Sequence, residues 1–349
     1  MYPYWLLFIY FALGALWTAN ARETGRAPAR ALFIIGLLGA MMLIGLRFEV
    51  GGDWYSYLGY FKMMRFDTFT SAISRGDPGY QAVMFAAYKL GGGIWLVNMF
   101  CGAVLMWGLG RFALTQRSPW LVVLVAVPYL INVVAMGYTR QSVAIGLVLA
   151  GLTAIIRGKG LLTFIFYVLI AGLFHRTAIS VLPLVLLVST RYRLINIVAV
   201  AIATWLLFNY LLSDELGTYM SAYIAARYAS QGAAVRVAMT VLAAVLFLLA
   251  NKRFGFDQRQ WRIWLNFSLA SIAALLFLVY SPSSTAVDRM ALYLIPLQLA
   301  ILPQVPYVYA RKGLGTVAVV LYSAAIQFVW LNFAQYAKWF VPYHFYSFG

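Results

Sequence analysis

The chain has 349 residues, of which 64% are hydrophobic and 10% charged, and its formal net charge is +17. A soluble domain carries about a quarter charged residues, so this composition excludes a water-coated globule. The excess of Lys and Arg over Asp and Glu lies in isolated loop clusters rather than in one stripe, which marks membrane topology and argues against nucleic acid as a partner.

A hydrocarbon core of about 30 Å takes about 20 apolar residues per helix. The opening MYPYWLLFIYFALGALW lacks a basic leader and a cleavage site, so it is expected to be a retained first helix rather than a signal peptide. Apolar spans follow near 31–46, 93–110, 120–136, 140–156, 161–174, 177–190, 194–212, 233–250, 263–280, 290–310 and 314–331. The fold class is therefore an all-α polytopic membrane protein of about 12 transmembrane helices, a single integral domain over 1–349. The stretch 79–92, GYQAVMFAAYKLGG, is too short to span and reads as an interfacial or re-entrant helix. The lone Cys101 excludes an intrachain disulfide and a thiolate zinc site.

Charge bias decides whether 161–190, interrupted at His175-Arg176, is one span or two. With two spans, loops carrying Arg22, Arg111, Arg157, Arg191, Lys252 and Arg311 fall on one side, which collects 15 of the 26 Lys and Arg residues. With one span, the richest basic loop, 251–262, would oppose the earlier ones, against the positive-inside rule. Two spans are expected, with both termini outside. The outer face then holds seven of the nine acidic residues and both histidines. Its loops 47–92, 213–232 and 281–289 and the tail 332–349 form the expected active face.

Four outer clusters carry possible chemistry. The first is Arg47-Phe-Glu49-Val-Gly-Gly-Asp53-Trp54-Tyr55, where Gly51-Gly52 allow a sharp turn. Two carboxylates and a guanidinium share a small volume there, with Trp54, Tyr55 and Tyr57 as stacking surfaces suited to sugars. An interfacial aromatic belt accounts for the rings but not for the paired carboxylates. The others are Tyr138-Thr-Arg140-Gln141, His175-Arg176-Thr177, and Asp288-Arg289 with Tyr293 one turn on. Each arginine is expected at the N-terminal end of a helix, where guanidinium and helix dipole together suit a phosphate-bearing ligand. A snorkelling arginine explains any one of them; four on one face favour a shared anion. His175 could act as a general base or as a plain hydrogen-bonding residue. Two histidines, with no HExxH, Walker or GxGxxG pattern in a fitting context, leave no metal and no cofactor expected.

In order, these clusters resemble the EpsG family of exopolysaccharide membrane proteins, relatives of Wzy-type polymerases. The matching pieces are Arg47-x5-Asp53-x-Tyr55-x-Tyr57, Asp77-Pro-Gly79-Tyr80, Arg140-Gln141-x-x-Ala144, Phe174-His175-Arg176-Thr177-Ala178, Asp288-Arg289 before Tyr293, and Pro342-Tyr343-x-Phe345. Gly52 stands where a small polar residue is expected. The resemblance implies an architecture related to the GT-C superfamily. It also implies transfer of a growing glycan from undecaprenyl pyrophosphate to another lipid-linked repeat, at the periplasmic side of the bacterial inner membrane. On that basis His175, Asp53 and Glu49 are the candidate catalytic groups, and Arg47, Arg140, Arg176 and Arg289 the pyrophosphate ligands in place of a metal. Trp54, Tyr55, Tyr57, Tyr80, Gln141, Asp288 and Tyr293 are expected to hold the glycan. Partners implied are the lipid-linked donor and acceptor, the bilayer, and other export or chain-length proteins. The rival readings are a lipid-linked oligosaccharide flippase or transporter, and a membrane O-acyltransferase.

Overall fold

The computed structural model describes residues 1–20, 26–188, 198, 232–280, 284–309 and 311–347. In chain order come α1 (Tyr2–Asn20), α2 (Arg26–Gly45) and the two-residue strand β1 (Arg47–Phe48). Three short helices follow, α3 (Trp54–Met63), α4 (Phe69–Ser74) and α5 (Pro78–Lys89), and then α6 (Ile94–Ala113). Next, α7 (Pro119–Ala126) runs through a π-helical stretch, Val127–Val134, into α8 (Ala135–Gly137), followed by α9 (Thr139–Ile156) and α10 (Leu161–Phe174). A 3-10 segment, Arg176–Val181, leads into α11 (Leu182–Leu186). The remainder is α12 (Ala233–Ala250), α13 (Gln258–Tyr280), α14 (Ser284–Ala291), α15 (Ile295–Ile301), α16 (Val305–Val308), α17 (Lys312–Phe333) and β2 (His344–Phe345).

Among the described residues, eight helices are long and apolar enough to cross a membrane, and shorter apolar helices cover Ala29–Gly45, Leu161–Phe174 and Arg176–Leu186. The expected span 194–212 and loop 213–232 lie outside the described residues, Val198 and Gly232 apart. Three expected spans are less regular than a continuous α-helix. Pro128 opens the π-helical stretch, Pro296, Pro303 and Pro306 divide 290–310 into α and 3-10 pieces, and Pro183 follows the 3-10 turn. Each proline withholds a backbone donor, so the α ladder breaks there. The helix expected at 79–92 is α5, with Pro78 at its first turn, where a missing N–H costs nothing.

Burial separates centre from rim. The segments Pro119–Gly137 and Thr139–Ile156 are 94% and 89% buried, against 33% for Tyr2–Ala19 and for Lys312–Phe333. Helices apolar all round suit the centre of a bundle in lipid. There, α6 and α9 cross on glycines: a Cβ at Gly108 would stand 1.9 Å from the Gly146 carbonyl oxygen, and one at Gly146 2.8 Å from the Leu105 Cα. Small residues let two backbones touch, which is how helices pack without a hydrophobic drive between them.

The expected loop grouping recurs in space. Arg117 lies over Tyr307 at 5.8 Å, Lys312 approaches the same ring at 5.7 Å, and Arg262 donates to the Val188 carbonyl at 3.3 Å. Those contacts bring Arg117, Lys312 and Arg262 with Val188 to one end. The other end gathers the segments around Asp53, Asp77, Arg140, His175 and the tail. From His175 at that end the chain runs on to Val188 beside Arg262, and both Leu161–Phe174 and Arg176–Leu186 are shorter than a full span.

Gly108→Val should lower the unfolding midpoint in detergent, with an overpacking cost of about 1–3 kcal/mol, while Gly39→Ala, with nothing within 4 Å of the new methyl, leaves it unchanged. Thermal unfolding of the purified variants checks this.

Candidate active site

Four chain segments meet at the end opposite the basic loops. Arg140 is the second residue of α9, where its helix begins after Tyr138. Asp77 occupies the N-cap position of α5, its side chain making no capping bond. Arg176 opens the 3-10 turn after His175, whose extended backbone ends α10. Arg289 stands in the last turn of α14, not at a helix N-terminus as expected. Its charge therefore meets the favourable end of that helix's dipole.

The bonds between them are specific. Arg140 Nη1 pairs with Asp77 Oδ2 at 2.7 Å, and its guanidinium lies 6.0 Å from the centre of the Tyr57 ring. The Asp77 carboxylate also lies within the field of Arg176. His175 Nδ1 and Thr177 Oγ1 share a hydrogen bond of 2.6 Å, and the His175 ring lies 6.4 Å from Tyr293. Gln141 Nε2 reaches the Arg289 carbonyl at 3.5 Å. Asp53 is half-buried within the fields of Arg140 and Arg289.

Electrostatics divide the titratable groups. Burial pushes the Asp53 carboxyl up from its usual range, opposed by Arg140 and then Arg289. Asp77 is likewise raised by burial, against the pull of Arg140. Burial, reinforced by Arg140, Arg289 and Arg176, takes His175 down to about 3, so its imidazole is neutral at physiological pH.

The expected site residues divide by exposure. Arg289 is exposed, Arg140, Arg176, His175 and Asp53 are half-buried, and Tyr57, Tyr80, Gln141 and Tyr293 lie beneath them. Glu49 stands at the rim with a left-handed φ of 54°, close to exposed Tyr55. Arg47 is 1% exposed: it donates to the Ile44 carbonyl at 2.7 Å, Asn98 Oδ1 at 2.9 Å and Thr139 Oγ1 at 2.8 Å, and stands 5.8 Å over buried Trp54. Asp288 is buried in a two-pronged ion pair with Arg236, which also lies over Tyr129. The structure thus brings Asp53, Arg140, His175, Arg176 and Arg289 together, and sets Arg47 and Asp288 inside the protein.

Asp77, Asn98 and Thr177 were given no ligand role from sequence, while Arg236 read as a basic residue that could extend the anionic site. Asp77 carried a signal, an acid immediately before Pro78 at a helix start. Asn98 and Arg236, in the middle of apolar runs, are isolated polar residues that such a chain keeps only with partners. Among the described residues no three His, Cys, Asp or Glu side chains gather to hold a metal ion.

The neutral His175 makes stability depend on pH. Between an unfolded pKa near 6.5 and a folded value of about 3, the unfolded state binds the extra proton, so stability falls as pH falls. The loss between about pH 7 and about pH 5 is about 2 kcal/mol. His175→Gln should flatten that part of the unfolding-midpoint profile in detergent.

No curated protein and no solved structure matches this chain. The sequence model of the EpsG family matches residues 30–345, which include every segment of the cluster. With its multiple apolar helices and that match over most of its length, the chain belongs to the EpsG family of membrane proteins.

Proposed function

We propose that this protein polymerises polysaccharide by moving a glycan from undecaprenyl pyrophosphate to a hydroxyl of a second lipid-linked repeat unit, on the periplasmic side of the inner membrane. The observation that carries this reading is the convergence of Arg140, Arg176 and Arg289 around Asp53, Asp77 and His175, in a chain whose family is exopolysaccharide-related. Arg140, Arg176 and Arg289, with buried Arg47 beneath them, outnumber the carboxylates Asp53, Asp77 and Glu49, so this face stays positive while His175 is neutral. A glycosyl pyrophosphate diester carries two negative charges, which such a face favours.

The transfer balances as follows. The acceptor oxygen attacks the anomeric carbon, the bond from that carbon to the phosphate oxygen breaks, and polyprenyl pyrophosphate leaves with the electron pair. Arg140, Arg176 and Arg289 stabilise the charge developing on that oxygen. The acceptor proton goes to a carboxylate. Asp53 fits this better than His175, because burial raises the affinity of Asp53 for a proton and lowers that of His175. Thr177 and Tyr293 hold the His175 ring in place, where its neutral form can hydrogen-bond a hydroxyl. Glu49 and Tyr55 at the rim, with Tyr57 and Tyr80 beneath, supply the polar and flat surfaces that a sugar takes. Arg47 and the Arg236–Asp288 pair support this surface from inside rather than touching the ligand. The topology proposed with this reading is about twelve crossings with both termini periplasmic, on a scaffold related to the GT-C fold.

Arg289→Ala and Asp53→Asn should each slow polymerisation of defined lipid-linked repeats by about a hundredfold or more in proteoliposomes, with protein yield unchanged. Arg140→Ala strands the Asp77 carboxylate, so it is compared with Arg140→Ala/Asp77→Asn, which restores yield and leaves activity absent. Polymerisation at the parental rate in Arg289→Ala and in Asp53→Asn would sink the proposal. Lipid-linked units trapped on the inner side of cells lacking the protein would favour a flippase.

A further inference from the structure

The tail after α17 does more than end the chain. Trp339 accepts a hydrogen bond through its carbonyl from the Gly51 N–H at 2.8 Å. Gly51 has φ 110°, and a Cβ there would stand 2.2 Å from the Met136 carbonyl oxygen. The turn leading to Asp53 is thus held between the tail on one side and the end of α8 on the other. Only glycine fits that gap. Trp54 N–H then bonds the Gly51 carbonyl at 3.1 Å, and Tyr57 N–H bonds the Asp53 carbonyl at 3.0 Å, which carries the constraint into α3.

The same tail reaches the start of α9 by two routes. Phe340 lies so near Gly137 that a Cβ there would be 3.1 Å from its ring, three residues before Arg140. Through β2, Phe345 pairs with Arg47 and His344 with Phe48, and Arg47 bonds Thr139, the neighbour of Arg140. The tail itself is fastened at several points. Tyr4 donates to the Phe340 carbonyl at 2.7 Å, Tyr343 to the Leu43 carbonyl at 2.5 Å, and the Tyr346 N–H to the Leu46 carbonyl at 2.7 Å. Phe340 also packs edge-on against Trp330 at 4.7 Å.

We propose that residues 334–347 act as a positioning clasp, which fixes the Asp53 turn and the Arg140 helix start relative to each other and stays closed through turnover. This rests on the reading of Asp53 and Arg140 as parts of the transfer site. None of the clasp residues touches the reacting atoms; they act through the two segments they hold. Displacing a reacting group by about 1 Å costs about a hundredfold in rate, so a brace shared by both groups bears directly on transfer.

The test uses the full-length protein in proteoliposomes with defined lipid-linked repeats. Phe340→Ala should lower kcat by about a hundredfold while binding of polyprenyl pyrophosphate stays close to parental; removing this buried ring also costs about 3–5 kcal/mol of stability, so the rate is read well below the variant's own unfolding midpoint. Phe48→Cys/His344→Cys joins the paired strand residues by a disulfide, with Cys101 buried and left in place. Oxidising that pair should leave the parental rate intact and recover part of the rate lost in Phe340→Ala. The clasp is overturned if Phe340→Ala turns over at the parental rate, or if the oxidised pair stops turnover, since the tail would then have to open. Parental rates in Asp53→Asn and Arg289→Ala would instead overturn the site reading itself.

Discussion

A guanidinium buried away from water must place its donors on the protein, and Arg47 places its two terminal nitrogens, though not Nε, where three parts of the chain meet. It bonds the end of α2 through Ile44, α6 through Asn98 and the first residue of α9 through Thr139, with the face of Trp54 above it. Its hydrogen bonds all go to neutral acceptors, so its charge is not cancelled by an adjacent acid. Keeping an uncompensated cation in the interior costs several kcal/mol, which holds these elements to one arrangement. It also leaves a positive field under the outer surface, where Arg140, Arg176 and Arg289 add to it.

Asp53 and Asp77 are the counterweights, and they differ in kind. Asp77 is paired with Arg140 and lies within the field of Arg176, so it serves to hold the Arg140 guanidinium in place. Asp53 feels Arg140 and Arg289 through space, and its carboxyl is raised by burial. One acid thus holds a cation in place while the other is left with affinity for a proton. Pyrophosphate departure and hydroxyl deprotonation need these two functions side by side.

Much of this was legible in the sequence, for definite reasons. Composition carried the membrane class, and charge bias set the expectation of two spans meeting at His175. The clusters around Asp53, Arg140, His175 and Arg289 were visible because charges next to apolar helices are rare and need a cause. Partnership was not legible. Arg47 reads like the other arginines, yet its burial depends on Asn98 and Thr139, which are 51 and 92 residues away. Asp288 looked like a ligand until Arg236, 52 residues away in an apolar helix, was seen to occupy it. Hydropathy also missed the π and 3-10 breaks, since prolines alter the hydrogen-bond ladder without altering mean polarity.

The central claim is that Arg140, Arg176 and Arg289 together bind a pyrophosphate. Equilibrium binding of polyprenyl pyrophosphate to the reconstituted protein, parent against Arg289→Ala and Arg176→Ala, tests it most directly. The account predicts saturable binding that weakens with added salt and by about tenfold or more in each variant. Binding of equal affinity in parent and variants, indifferent to salt, would contradict it.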